Sequence, residues 1–429
     1  MKFKDLLSPN QLFALLAKGL EGTKVIVASI IVARFYGPED FGRFAFIIGV
    51  TSIVAIIAEF RLQNILVKEL SLGALPKEAI LGSALTANFI FAAVGMLGIW
   101  AYTLFESDQL IATGLLIYSL IFIYKIPRAF RSQLISNENN KSIAKCEAVS
   151  SIISISAMIT VSTLHLNLLW VLFARSLDFL FISIFFIILY KKQNPEKLKS
   201  SFKIVKKLSY SSAPLVFSGA AMILFQRADL IIIKTTLGEY ATGLYSSATT
   251  LMLLFSLAPM VISESLAPKI FRNEKLINSD EARQKFSDII IFIGLAMSAL
   301  MFVCVGWGLP YLYGAEYQEA IYSAYILSAC PALISLGAAS GQLIVADDKQ
   351  GKTFIKSLGA CLINLIMNFL LIPILGIEGA AISTVCGLAL ANYMAHGVMP
   401  TYHYIFKIQN NSLVNLTLKG LRFSRSKNV

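Results

Sequence analysis

Apolar residues run along this chain in long blocks, separated by short stretches rich in Gly, Pro, Lys and Arg. From Phe179 to Tyr190 the apolar run is broken only by Ser183. A strand of a membrane barrel would alternate apolar and polar residues, and this run does not. In lipid, backbone N–H and C=O groups must find partners within their own segment, so blocks of about 20 apolar residues read as membrane-crossing helices. The pattern predicts twelve, over 10–36, 42–62, 79–103, 109–131, 143–164, 167–190, 210–236, 240–267, 287–312, 318–346, 353–375 and 379–405. Gly37-Pro38, Pro76, Pro195, Pro268, Gly314 and Gly351 fall at their ends, where helices stop.

Composition agrees: 56% of the 429 residues are hydrophobic and only 14% charged, and the mean hydropathy is +0.71. A soluble chain of this length would need far more charge to cover its surface. The net charge of +12 would suggest nucleic acid in a soluble protein, but its placement points to the membrane. With the N-terminus in the cytoplasm, both termini and the even-numbered loops hold thirty of the 37 Lys and Arg residues. The odd-numbered loops hold three, Arg34, Arg43 and Lys234, and four lie inside spans. That bias predicts cytoplasmic termini. A basic linker over 191–209, read as a solvated orienting loop, separates two six-span halves at 1–205 and 206–406. A basic cytoplasmic tail, partly disordered or interfacial, follows over 407–429. Lys2 and Lys4 precede a first block too long for a cleaved signal core, so that block reads as a retained anchor. No outer loop is long enough for a soluble domain.

The halves share a motif at the turn joining their first two spans. Gly37-Pro-Glu-Asp-Phe-Gly42-Arg-Phe44 and Gly238-Glu-Tyr-Ala-Thr-Gly243-Leu-Tyr245 both read G-x4-G-x-aromatic. Six spans per half give both copies one orientation, which makes this a parallel repeat. These turns, together with Asn364-Leu-Ile-Met-Asn368-Phe-Leu-Leu-Ile-Pro373-Ile-Leu-Gly376-Ile-Glu-Gly379-Ala-Ala, resemble polysaccharide-export flippases of the multidrug/oligosaccharidyl-lipid/polysaccharide (MOP) superfamily, Wzx-type O-antigen flippases in particular. The resemblance implies a MATE-like all-α fold of two six-helix lobes around a cavity lined mainly by helices 1, 2, 7 and 8. It also implies an undecaprenyl-pyrophosphate-linked oligosaccharide as cargo, moved from the cytoplasmic to the periplasmic leaflet of a bacterial inner membrane by alternating access. Membrane lipids and polysaccharide polymerase or ligase machinery are the implied partners, with the chain a monomer that uses no cofactor.

Ionisable residues at membrane depth mark candidate chemistry, because a Lys or Arg at the bilayer centre costs roughly 2.5–3.5 kcal/mol. Lys18, Glu21 and Lys24 of span 1 lie within an arc of about 120°, and Glu21 neutralises at most one of the two lysines. In span 7, Arg227 and Asp229 point about 160° apart, and Lys234 returns to the Arg227 face nearer the outside. Arg175 and Asp178 of span 6 stand at i,i+3 and can satisfy each other. Two readings are open: Lys18, Lys24, Arg227 and Lys234 form a cationic lumen for a pyrophosphate and acidic sugars, or these residues are interhelical ion pairs. Glu21 and Asp229 are candidate proton or sodium sites on the first reading, with Arg175 and Asp178 pairing. Glu59, Glu147 and Glu264, near cytoplasmic ends, are expected to be wetted.

Other motifs carry less. Ala346-Asp-Asp-Lys-Gln-Gly351-Lys352-Thr353 resembles a relaxed phosphate loop but joins two membrane helices. His165, His396 and His403 form no ligand cluster, and the five cysteines lack metal spacing, so neither metal nor enzyme is expected. Gly337-Ala-Ala-Ser-Gly341 is a small-residue packing face, and Trp100, Trp170 and Trp307 suit an interfacial belt. A drug antiporter of the same superfamily would favour an acidic lining, and a membrane polymerase or ligase would need a large catalytic outer loop.

Overall fold

The computed structural model describes residues 9–193, 197–271 and 280–425, and the described residues are helical with no strand among them. Among the described residues nine helices are long and apolar enough to cross a membrane, and a pair bent by 42°, Ala315–Leu327 with Cys330–Ala346, makes a tenth when counted as one broken span. Two of the nine, Leu16–Leu72 and Gly219–Ala267, each contain two helices joined at a break, at Gly37 and at Gly238. The described residues therefore carry twelve spans, as the hydropathy pattern predicts. They are α1 (9–36), α2 (38–72), α3 (Lys77–Thr103), α4 (Gln109–Ser136), α5 (Asn140–Thr163), α6 (Leu168–Gln193), α7 (202–237), α8 (239–271), α9 (Asp280–Tyr313), the bent α10 (Ala315–Ala346), α11 (Thr353–Leu375) and α12 (Ile377–Val398). A thirteenth helix, α13 (His403–Arg425), follows.

Both breaks come from glycine. Gly37 has φ 75 and ψ 178, and Gly238 has φ 87 and ψ −176, a region essentially closed to residues with a Cβ. The second glycine of each motif serves another purpose. A Cβ on Gly42 would lie 1.8 Å from the carbonyl oxygen of Glu239, and a Cβ on Gly243 would lie 1.8 Å from that of Pro38. The two turns thus touch backbone to backbone, each glycine seated on the other turn's carbonyl.

The chain packs as two compact units, Ser8–Gly243 and Leu244–Val429. In the first, the α1–α2 pair packs on α5 and α3, and α5 on α6. Side-chain oxygens start two of its helices: Asp108 accepts from the amides of Leu110 and Ile111 at 2.8 and 3.1 Å, and Asn139 from Ser142 at 3.3 Å. α2 is interrupted at Phe60 and Arg61, both left-handed with φ 46 and 52, a conformation that costs about 1–3 kcal/mol per non-glycine residue.

The linker is only partly the solvated loop expected. Residues 199–201 lie on α3: the Lys199 amide donates to the Glu78 carbonyl at 3.3 Å, the Ser201 amide to Ser83 Oγ at 3.0 Å, and Ser200 shares a 2.8 Å hydrogen bond with Thr86. Gly82 makes room for this strap, since a Cβ there would lie 2.3 Å from the Lys199 carbonyl oxygen. A Gly82→Val substitution is expected to lift the strap and speed trypsin cleavage after Lys197 and Lys199 several-fold, with no change at other sites.

In the second unit, α9 meets α10 where Gly294 faces Ser335. The 364–381 motif proves to be a helical hairpin. Asn364 donates to the Ser383 carbonyl at 2.9 Å and Asn368 to Asn364 at 3.1 Å, and both are buried. Gly379 passes so close to α11 that a Cβ would lie 2.4 Å from the Leu371 carbonyl oxygen. Of the small-residue face on α10, Gly337 packs against Asn392 in the π-helical turn Leu390–Met394 of α12, whereas Gly341 has nothing within 4 Å. The tail is more ordered than expected. It continues as α13 to Arg425, packed on α9, and residues 426–429 lie outside the described residues.

Candidate functional site

A cavity of about 470 Å³ opens within the first unit, walled by α1, α2, α4, α6 and α7. Of the helices that the resemblance implies, α1, α2 and α7 contribute; α4 and α6 complete the wall, and no described residue of α8 does. The lining carries four cations, Arg61, Lys125, Arg175 and Arg227, against one carboxylate, Glu59. Neutral polar groups sit between them, including Ser29, Thr51, Ser52, Gln63, Asn64 and Tyr118. Lys125 is bound to Glu59 at 2.6 Å and stands 4.6 Å from the centre of the Phe179 ring. Arg175 approaches the same ring at 5.4 Å.

Arg61 and Arg227 differ from these. Among the described residues no carboxylate lies within 4.0 Å of either guanidinium. Arg61 occupies the left-handed break in α2 and rests its guanidinium against Gly219 of α7, where a Cβ would lie 2.5 Å from Nε. Arg227 enters from α7, facing the part of the cavity lined by Tyr118. Both line the cavity, and a planar guanidinium matches the paired oxygens of a phosphate. The volume is within the range of small-ligand sites, about 300–1,000 Å³.

The residues singled out by sequence divide among several places. Arg175 and Arg227 line the cavity together. Lys24 does not: its ammonium lies 3.1 Å from Glu147 and 2.8 Å from Asp178. Arg175 stands 3.4 Å from the same Asp178 oxygen. Glu147 corrects an expectation, since it is fully buried at 0% exposure rather than wetted. Two turns into α5 it faces α1, where the Lys24 ammonium lies 3.1 Å away. Glu21 turns from its helix neighbours to Arg128 at 3.6 Å. The Lys18–Glu21–Lys24 stripe is therefore split among different partners, and Lys18 is exposed. Asp229 is buried and accepts from the Leu230 amide at 2.8 Å. Lys234 binds Glu106 at 2.8 Å and lies 4.0 Å from Glu239, away from the cavity lining. Among the described residues no group of His, Cys, Asp and Glu could hold a metal ion.

The sequence profile of the family described as "Polysaccharide biosynthesis protein" matches residues 10–274. The chain belongs to that family. The match spans the whole cavity and the first copy of the repeat. A curated relative, the capsular polysaccharide biosynthesis protein CapF of Staphylococcus aureus, is 25% identical over 396 residues, covering 88% of this chain and 93% of that protein. A second, the probable low-salt glycan biosynthesis flippase Agl15 of Haloferax volcanii, is 25% identical over 219 residues, 48% of this chain and 45% of that protein. Among solved structures, an inward-facing multidrug resistance MATE family transporter of the MOP superfamily aligns with a TM-score of 0.72 at 14% identity, covering 92% of this chain and 99% of that one. The lipid II flippase MurJ, in an inward closed conformation, aligns with a TM-score of 0.69 at 16% identity, over 96% and 92%. The MATE-like membrane fold expected from the resemblance is the fold of this family member.

Sequence reasoning overlooked Arg61, Lys125 and Glu59 as cavity residues, because all three fall toward the cytoplasmic ends of their predicted spans, where charge reads as wetted. A signal was present. Lys125, Arg128 and Arg131 recur at i,i+3 on one face of α4, a periodicity a solvated loop has no reason to keep.

Proposed function

We propose that this chain is a flippase that moves a lipid-linked glycan precursor across the bacterial inner membrane. Its cargo is an oligosaccharide on undecaprenyl pyrophosphate, carried from the cytoplasmic to the periplasmic leaflet by alternating access. The observation that carries this reading is the pair of guanidiniums, Arg61 and Arg227, facing a 470 Å³ cavity with no carboxylate within 4.0 Å among the described residues. A half-buried cation with no carboxylate at ion-pair distance is costly in this setting, and a diphosphate offsets that cost. The hydroxyls and amides of Ser29, Thr51, Ser52, Gln63 and Asn64 suit the sugars. Termini in the cytoplasm, segments 1–205 and 206–406 as the bodies that move, a monomeric unit and the absence of catalysis belong to the same reading. An excess of cations in the lining opposes the uptake of cationic drugs.

The test is to delete the gene and locate the lipid-linked repeat unit. Completed units facing the cytoplasm support a flippase. Single units transferred to the outer acceptor would instead indicate a lost polymerase, and an unchanged surface glycan with altered drug tolerance would indicate an antiporter.

A further inference from the structure

Arg175 belongs to two environments at once. It lines the large cavity, and it also borders a small buried space with Lys24, Ser151, Ser154 and Asp178. The charges in that second environment are closely shared. Lys24 Nζ lies 3.1 Å from Glu147 Oε2 and 2.8 Å from Asp178 Oδ2, and Arg175 Nη1 lies 3.4 Å from that same Asp178 oxygen. Ser150 donates to the other Asp178 oxygen at 3.0 Å. All four charged residues are at most 7% exposed.

We infer that Lys24 and Glu147 are positioning residues that set how far Arg175 is available to an anion in the cavity; the inference rests on the flippase reading above. Two cations meet two carboxylates in a setting where unpaired charge is expensive. Lys24 takes the larger share of both carboxylates, as its shorter distances show. Arg175 is left with one long contact to Asp178, and its guanidinium stays toward the cavity and the Phe179 face. Remove the ammonium and both carboxylates turn to Arg175, which is drawn inward and lost to the cavity. Remove Glu147 and Lys24 satisfies Asp178 alone, which frees Arg175 further. Lys24 therefore acts on the cargo without touching it, and the acid pair meters the positive charge the cavity presents.

The test compares Lys24→Met, Glu147→Gln and the double variant with the wild type in detergent. Binding of inorganic pyrophosphate and labelling of Arg175 by phenylglyoxal are read by calorimetry and mass spectrometry. Lys24→Met is expected to weaken pyrophosphate binding roughly tenfold or more and to protect Arg175 from the reagent. Glu147→Gln is expected to bind as tightly as wild type or tighter, with faster labelling. The double variant removes one charge of each sign, and both readouts are expected to return to within about twofold of wild type. A double variant as weak as Lys24→Met, or labelling of Arg175 that follows thermal stability alone, would overturn the inference. Should Lys24→Met fail to fold, Glu147→Gln decides: slower labelling than wild type overturns the proposal. If the wild type binds no pyrophosphate while the labelling order holds, the flippase reading of the cavity fails and the positioning role stands.

Discussion

An Arg227→Ala variant is expected to lose surface glycan by about a hundredfold or more while its melting temperature holds or rises. The two effects have opposite signs for one reason. A guanidinium at membrane depth costs the fold roughly 2.5–3.5 kcal/mol; with no carboxylate within 4.0 Å among the described residues to offset it, the truncation removes most of that cost. The same truncation removes charge-assisted hydrogen bonds to the cargo, each worth about 1.5–3 kcal/mol, so two of them account for the size of the loss. Arg227→Lys keeps the charge but not the planar fork and should fall between. Glycan blots paired with thermal unfolding of the purified protein decide the matter. A melting temperature that drops in step with glycan would make Arg227 a structural tie.

Gly243→Ala is expected to be the most damaging small substitution in the first unit. Its new methyl would stand 1.8 Å from the Pro38 carbonyl oxygen, and backbone has no rotamer by which to withdraw. Overpacking a core ordinarily costs about 1–3 kcal/mol, and a clash between two backbones belongs at or beyond the top of that range. The α1–α2 turn and the start of α8 must separate, so export should fall to background and the melting temperature by several degrees. Gly42→Ala should behave alike, because its Cβ meets the Glu239 carbonyl at the same distance. Gly49→Ala supplies the control: its nearest neighbour is Leu230 Cδ1 at 3.6 Å, ordinary contact, and near wild-type behaviour is expected. Normal export by Gly243→Ala would mean the turns do not need to touch.

These residues also show what a single sequence discloses. Span number and helical class were readable because hydrophobic block length is a one-dimensional property, fixed by the thickness of the bilayer. The glycine motif announced a repeat, though not that its two copies are seated on each other, since a contact across some 200 residues leaves no local trace. Charge partners were hardest. Arg175 and Asp178 were visible as neighbours on one helix face. The preference of Lys24 for Glu147, 123 residues away, over Glu21 on its own helix was not visible. That choice depends on how α1, α5 and α6 are rotated about their axes, and helices apolar nearly all round give weak periodic information about rotation. The same limit hid Arg61. Charge counting treats a basic residue at the cytoplasmic end of a span as solvated, whereas Arg61 sits at a break in α2 and lines the cavity.

His396 is fully buried in the last span, and its Nδ1 lies 3.1 Å from the Gln409 carboxamide oxygen. The Gln409 nitrogen in turn donates to the carbonyls of Asn392 at 2.9 Å and Leu336 at 3.3 Å. Gln409 arrives on α13, the helix that follows the last span. Until that helix leaves the ribosome, the imidazole has its 3.0 Å contact with Lys356 Nζ but lacks the carboxamide on its other face. The second unit is thus latched only after its last span has formed, and a chain halted before residue 409 would meet the quality-control proteases of the membrane without the Gln409 bridge between α10 and α12.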